Sequence, residues 1–492
     1  MTTDEISLEP LELLDLQKRR TVGEIVDGMS KCSFGARMLG EVAATLTELA
    51  QAERKPILVY DGKQDTPLGT LLKQLVERDW FQGPFLPEEY ASGPKGWTNH
   101  RPVVVIGNYS ERYGDAIHER PPRAIFINTE GKTRPGQVRD GYFPDAIFAD
   151  PGYIMPVLAA TLEERLDGKR QSMDDLLHTL QPYGGLAHEV VHGAHTFRKM
   201  VEDTECTVFL TLSGAMTIAQ MSLVICDMIE QKMVNYIAST GALMAHGLVQ
   251  GVGLKHFKYD PRFDDKYLAA HRLNRVTDTL EPEANLDHVE EVLGHVLAQF
   301  DGGRLISPRI LNETVGKYLA EHYSEQRAIF KSAHQHGVPI IVPASVDSEL
   351  GNDIYVDNIR RQREGRSPLV MNHELDSQHL VDTVLKAERT GIFTIGGGVP
   401  RNNVQNVAPL IEIANERLGL GWPLRQFMYG TRIAPDEMHY GHLSGCTYNE
   451  GGSWRKMDLE RGQFAEVHAD ATQVWPFLVR FVMDRMEQQR AA

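Results

Sequence analysis

The chain has 492 residues, 42% of them hydrophobic, with a formal net charge of −16 at pH 7, so it can bury a large core in two or more domains. The acidic balance disfavours a nucleic-acid surface, which needs clustered Lys and Arg, and mildly favours cationic ligands. No apolar run approaches the roughly 20 residues that cross a bilayer, and Met1-Thr2-Thr3-Asp4-Glu5 is acidic where a signal peptide is basic, so a cytoplasmic protein is expected.

Residues 1–20 read as an N-terminal tail. An amphipathic pattern from about Val22 to Leu49 predicts an opening helix, followed by strand-like runs at Pro56-Ile57-Leu58-Val59-Tyr60, Val103-Val104-Val105-Ile106 and Ala124-Ile125-Phe126-Ile127. The charged stretch Leu166-Asp167-Gly168-Lys169-Arg170-Gln171 suits a domain boundary, and a second opening helix is expected from Met173 to Glu202.

Beyond Thr204, apolar runs alternate with helical patterns, the layout of a parallel sheet covered by helices on both faces. The runs are Cys206 to Leu210, Val234 to Ala238, Val338 to Val342, Gly391 to Ile395 and Phe464 to His468. Each ends in a loop of small or polar residues. Ligand crevices of doubly wound sheets lie at the carboxyl ends of the strands, so these loops should line one site. Aligning Ala149-Asp150 with Ala469-Asp470 pairs Pro156 with Pro476, Leu158 with Leu478 and Arg165 with Arg485 without a gap, which suggests an internal duplication. The first copy carries Lys132 to Arg139 where the second has its Trp-Lys segment, so it is expected to be non-catalytic.

Four motifs carry chemistry. Lys456, beside Trp454 in Gly451-Gly452-Ser453-Trp454-Arg455-Lys456, is a candidate for a partly desolvated, imine-forming amine. The loop Gly396-Gly397-Gly398-Val399-Pro400 lets backbone N–H groups approach an anion at a helix start, although it does not match G-x-G-x-x-G. Asp347, Asn352, Asp353, Glu450 and Asp470 could form a cation pocket if they converge; singly, such residues serve as helix caps. His188-Glu189-Val190-Val191-His192 matches H-E-x-x-H with His195 close behind, the outline of a zinc hydrolase, but His195 falls short of the longer zinc-peptidase spacing. The cysteines Cys32, Cys206, Cys226 and Cys446 form no pair at metal-ligand spacing.

From about Met173 to Arg485 the chain resembles deoxyhypusine synthase and its homospermidine-synthase relatives. The resemblance rests on Ser239-Thr240-Gly241-Ala242, Leu273-Asn274-Arg275-Val276, Gly337 to Ala344, Asp347, Gly396 to Val399, Leu443-Ser444-Gly445, Glu450, Ser453-Trp454-Arg455-Lys456 and Ala469-Asp470-Ala471, in that order. It implies an α/β fold, a doubly wound and mostly parallel sheet of deoxyhypusine-synthase type (Rossmann-like). Here a catalytic unit at 171–492 would follow a shortened, degenerate copy at 21–170. It implies an NAD-dependent transfer of the 4-aminobutyl group of spermidine, held as an imine on Lys456, to an amine acceptor: a small diamine or a protein lysine. Glu450 and Trp454 match substrate contacts; Thr240, Gly241, Asp347, Gly397, Gly398, Asp470 and Ala471 match NAD positions. Asn402 stands where many relatives have a histidine, and Asn352, next to Asp353, where they have a second pocket aspartate. These departures leave open a non-catalytic NAD-binding paralogue or partner subunit. Relatives place active sites between subunits, so a homo-oligomer is expected.

Overall fold

A computed structural model describes residues 8–93, 101–107, 123–128, 137–139 and 141–491. Met1 to Glu5 and Lys132 to Gly136 lie outside the described residues. In chain order the first half forms β1 (Ile57–Tyr60), β2 (Gln82–Phe85), β3 (Val103–Ile106), β4 (Ala124–Asn128) and β5 (Ala146–Phe148). The second half forms β6 (Cys206–Leu212), β7 (Tyr236–Ser239), β8 (Phe257–Lys258), β9 (Leu273–Val276), β10 (Thr279–Pro282), β11 (Leu305–Ile306), β12 (Ile340–Ile341), β13 (Val370–Met371), β14 (Arg389–Ile395), β15 (Tyr429–Ile433) and β16 (Gln463–Val467). The architecture is mixed α/β with two large parallel sheets, ordered β2-β1-β3-β4-β5 and β12-β7-β6-β14-β15-β16.

The two orders are one plan. In each sheet the first strand, β1 or β6, is interior; the next joins one side, and the last three extend the other. Strands such as Ile57-Leu58-Val59-Tyr60 are buried along their whole length, as expected where helices cover both faces. The order in which strands are added reverses between β1 and β3 and between β6 and β14, and a doubly wound sheet opens its ligand crevice at such a switch point.

Each expected opening helix is broken in two: Val22–Met29 and Phe34–Gln51, then Met173–Leu180 and Leu186–Glu202. The first members start on capping boxes, Thr21 with Glu24 and Ser172 with Asp175, which satisfy free backbone donors reciprocally. The breaks end on left-handed backbone at Phe34 (φ 58°) and Gly185 (φ 57°); only the second is a glycine, so Phe34 is held there by its surroundings.

Those surroundings link the halves crosswise. Asp150, at the end of β5, caps the helix Pro151–Asp167 through Gly152 N (2.8 Å) and also accepts Leu186 N (3.2 Å) from the other half. Asp470, beyond β16, accepts Thr472 N (2.9 Å) in the helix Ala471–Ala491 and Gly35 N (3.2 Å) from the first half. Tyr153 donates its hydroxyl to Gln473 O (3.0 Å) where the two helices meet. One hydrophobic cluster, from Leu14 to Met483, runs through both sheets. The stretch 1–20, expected as a tail, is docked where described: Leu14 and Leu16 are fully buried, and Leu14 N donates to Gln220 O (3.0 Å). No helix among the described residues is long and apolar enough to cross a membrane.

Candidate active site

The carboxyl ends of β6 and β14 are tied by Ser213, whose hydroxyl donates to Ile395 O (3.0 Å) and accepts Gly397 N (2.9 Å). The glycine loop is tight at Gly397, where an added Cβ would lie 2.9 Å from Ser444 O, and open at Gly398 (φ 64°), where it would meet nothing. The helix Gly398–Gln405 starts there and carries Arg401 and Asn402.

Lys456 approaches from the other side. The short helix Tyr448–Ser453 is capped by Thr447, and Arg455 takes a left-handed conformation (φ 56°) that turns the chain so that Lys456 N donates to Gly451 O (3.0 Å). Arg455 itself pairs away with Glu412. The ammonium of Lys456 donates to Asn402 Oδ1 (2.9 Å) and sits 5.9 Å from the centre of the Trp454 ring, within range of a cation–π contact. No carboxylate pairs with Lys456 among the described residues. Burial lowers its proton affinity, and the nearby Arg401 guanidinium lowers it further.

These residues line a cleft of about 550 Å³ with Gly398, Gln405, Asn406, His442, Leu443, Cys446 and Glu450. Five of the sequence candidates therefore meet: Lys456, Glu450, Trp454, Asn402 and Gly398, with Gly397 adjacent. Among the described residues Glu450 is the only carboxylate lining the cleft; Asp347, Asn352, Asp353 and Asp470, the other members of the possible cation pocket, lie elsewhere. Thr240 caps the helix Gly241–Gly251 and donates its hydroxyl to Gly214 O (3.1 Å), while Gly241 packs against Ser348, next to the exposed Asp347. Asn352 and Asp353 lie on the helix Glu349–Arg363, where burial, then Glu290 and Glu349, push Asp353 up to about 6. Asp470 lines a separate cavity of about 350 Å³ between the halves, with Arg37, Tyr142 and Asp278; Ala471 is buried beside it.

The H-E-x-x-H outline does not assemble a metal site. Glu189 accepts His468 N (2.8 Å) and lies 3.2 Å from His468 Nδ1. Among the described residues, the only convergent set of possible ligands is His246, His256 and Glu281. There both carboxylate oxygens are taken, by His246 Nδ1 (2.6 Å) and His256 Nε2 (3.0 Å), and Gln220 and Gln250 face the other nitrogen of His256.

Sequence reading missed Arg401 and Cys446. Arg401 is buried, donates Nη2 to Cys446 O (2.7 Å), and lies over the Tyr448 ring at 5.4 Å. Its adjacency to the glycine loop was the available signal: a basic residue in the first turn of a helix is unfavourable there unless it serves a neighbour.

The deoxyhypusine synthase family model matches residues 175–482. The chain belongs to the deoxyhypusine synthase family. It is similar to a probable deoxyhypusine synthase 2 of Methanosarcina acetivorans, 29% identical over 320 residues that cover 65% of this chain and 89% of the relative. A deoxyhypusine synthase-like protein of Chlorobaculum tepidum is 30% identical over 297 residues, covering 60% and 81%. As a deoxyhypusine-synthase-like transferase, the chain holds its family landmarks in the second half. Residues 1–174 lie outside the family match.

Proposed function

We propose that this protein is an NAD-dependent aminoalkyl transferase of polyamine metabolism. It takes the 4-aminobutyl group of spermidine as an imine on Lys456 and passes it to an amine acceptor. The observation that carries this reading is a half-buried lysine with no carboxylate partner among the described residues, hydrogen-bonded to Asn402 in a cleft beside Trp454. Attack on a carbon requires the neutral amine, and burial with Arg401 nearby favours it. Glu450 would hold an ammonium of the substrate and the exposed Trp454 face its methylenes. Asn402 orients the Lys456 amine but cannot carry a proton near neutral pH, so proton movement falls to another group or to water.

NAD would supply the hydride acceptor and return the hydride at the end. The open left-handed Gly398 at a helix start fits a phosphate close to backbone N–H groups, and Thr240, Gly241, Asp347, Gly397 and Gly398 would hold the cofactor. Asp470 and Ala471 would back its far end from the cavity between the halves. On this reading 171–492 is the catalytic unit, 21–170 a non-catalytic companion and the working form a homo-oligomer, with a small diamine favoured over a protein lysine as acceptor.

The test is intact-mass spectrometry after incubation with spermidine and NAD, then borohydride, beside Lys456→Arg. A 4-aminobutyl adduct absent from the variant is the expected result. No adduct despite NAD binding would favour a non-catalytic NAD-binding partner, the reading that Asn402 and Asn352 motivate.

A further inference from the structure

The Lys456 cleft holds more donors than a polyamine alone would use. Against one carboxylate, Glu450, stand Lys456, Arg401 and the amides Asn402, Gln405 and Asn406. Arg401 is 6% exposed and no carboxylate pairs with it among the described residues, whereas the neighbouring Arg432 is paired with Glu466 (3.2 Å). A buried guanidinium without a counter-charge is costly, and the usual remedy is an anion. Arg401 uses Nη2 on Cys446 O, but Arg432 already holds that carbonyl at 2.7 Å, so the loop does not depend on Arg401. The Nε of Arg401 reaches no partner. One helical turn on, Gln405 is 4% exposed and its Nε2 is likewise unpartnered. Two residues of one helix face, both lining the cleft, thus carry unused donors.

We infer that Arg401 and Gln405 form a subsite for a carboxylate, so that the acceptor amine of this cleft is an amino acid with its amine toward Lys456. A carboxylate accepts several donors at once and matches the guanidinium fork. This deepens the transferase reading, rests on it for the word acceptor, and puts an amino acid in the place of the small diamine. Discharge then forms a bond from the acceptor nitrogen to the imine carbon and breaks the bond to Lys456. The acceptor's proton passes to the released lysine. Bound NAD would supply the hydride that reduces the new imine, the one taken from the donor.

The experiment has two arms on the full chain. In the first, binding of 4-aminobutanoate, butylamine and butanoate is measured by calorimetry without NAD. 4-Aminobutanoate should bind, and Arg401→Met and Gln405→Met should each weaken it at least tenfold without weakening butylamine; circular dichroism checks that the variants fold. In the second, the spermidine-charged protein is offered 4-aminobutanoate or 1,4-diaminobutane and the product is weighed. Adduct formation with discharge to the diamine alone, and no carboxylate binding, overturns the subsite and leaves the transferase standing. Arg401-dependent binding of 4-aminobutanoate without any adduct supports the subsite and overturns the transferase.

Discussion

Replacing Asp470 with alanine tests whether its carboxylate welds the halves together. In the structure it accepts Gly35 N (3.2 Å), Thr472 N (2.9 Å) and the Thr472 hydroxyl (2.9 Å), and burial pushes its proton affinity up. Asp470→Ala leaves two buried backbone donors without an acceptor, at about 1–3 kcal/mol each; the loss should be about 3 kcal/mol. Asp470→Asn keeps one acceptor oxygen and removes a buried charge, so its loss should stay below about 1.5 kcal/mol, within the worth of one ordinary hydrogen bond. Asp150→Ala, which orphans Leu186 N and Gly152 N, should resemble Asp470→Ala. The assay is urea unfolding followed by tryptophan fluorescence and far-ultraviolet circular dichroism. A loss under about 1 kcal/mol for Asp470→Ala would refute the weld, because orphaned buried donors cannot be that cheap.

Asn402→Ala should leave stability within about 0.5 kcal/mol, as for most exposed positions, yet slow adduct formation at Lys456 about tenfold, read by timed mass spectrometry after borohydride trapping. The rate of that reaction should level off at a pH below the ordinary lysine value of about 10.4, since burial and Arg401 favour the neutral amine; Arg401→Gln should move the profile upward. Beneath the sheet ends, the His246–Glu281 pair gives a pH signature. Burial opposes both charges, but the pair's own contact prevails, raising His246 and holding Glu281 down to about 2. The histidine contribution is therefore full below its unfolded value of about 6.5 and lost as pH rises through the raised folded value, while the carboxylate contribution is full above about 4.5 and lost as pH falls toward 2. Thermal scans should show a decline in stability above about pH 6.5 that His246→Gln flattens.

The sequence made legible what is local. Strands such as Cys206–Leu212 and Arg389–Ile395 carry buried apolar stretches, Val208 to Leu210 and Gly391 to Phe393, and the glycine loop and the Trp-Lys segment are contiguous motifs. Strands whose pattern is interrupted were not seen: β15, Tyr-Gly-Thr-Arg-Ile, buries Arg432 because that side chain reaches Ser444 O, Cys446 O and Glu466. β2 contains Pro84, and β5 is three residues long. Convergence was legible only in part. Lys456 and Asn402 lie 54 positions apart yet touch. That Asp470 also accepts Gly35 N was not legible, because nothing in its neighbourhood names a donor 435 positions away.

The crossed caps also decide how the two halves can be handled. A fragment 171–492 keeps Lys456 and its cleft but loses Asp150, the acceptor for Leu186 N, and Gly35, the donor to Asp470. It also uncovers the face on which Leu14, Leu16, Val22 and Ile25 are fully buried. At roughly 1.5–3 kcal/mol for each large apolar side chain returned to water, these four contacts come to about 6–12 kcal/mol, comparable to the 5–15 kcal/mol that holds a typical domain together. The fragment should therefore be insoluble alone and recovered as a folded, spermidine-labelled species only when co-expressed with 1–170. A soluble, reactive 171–492 would mean that the first half merely decorates the second, and that the shared core seen across both sheets contributes little to either.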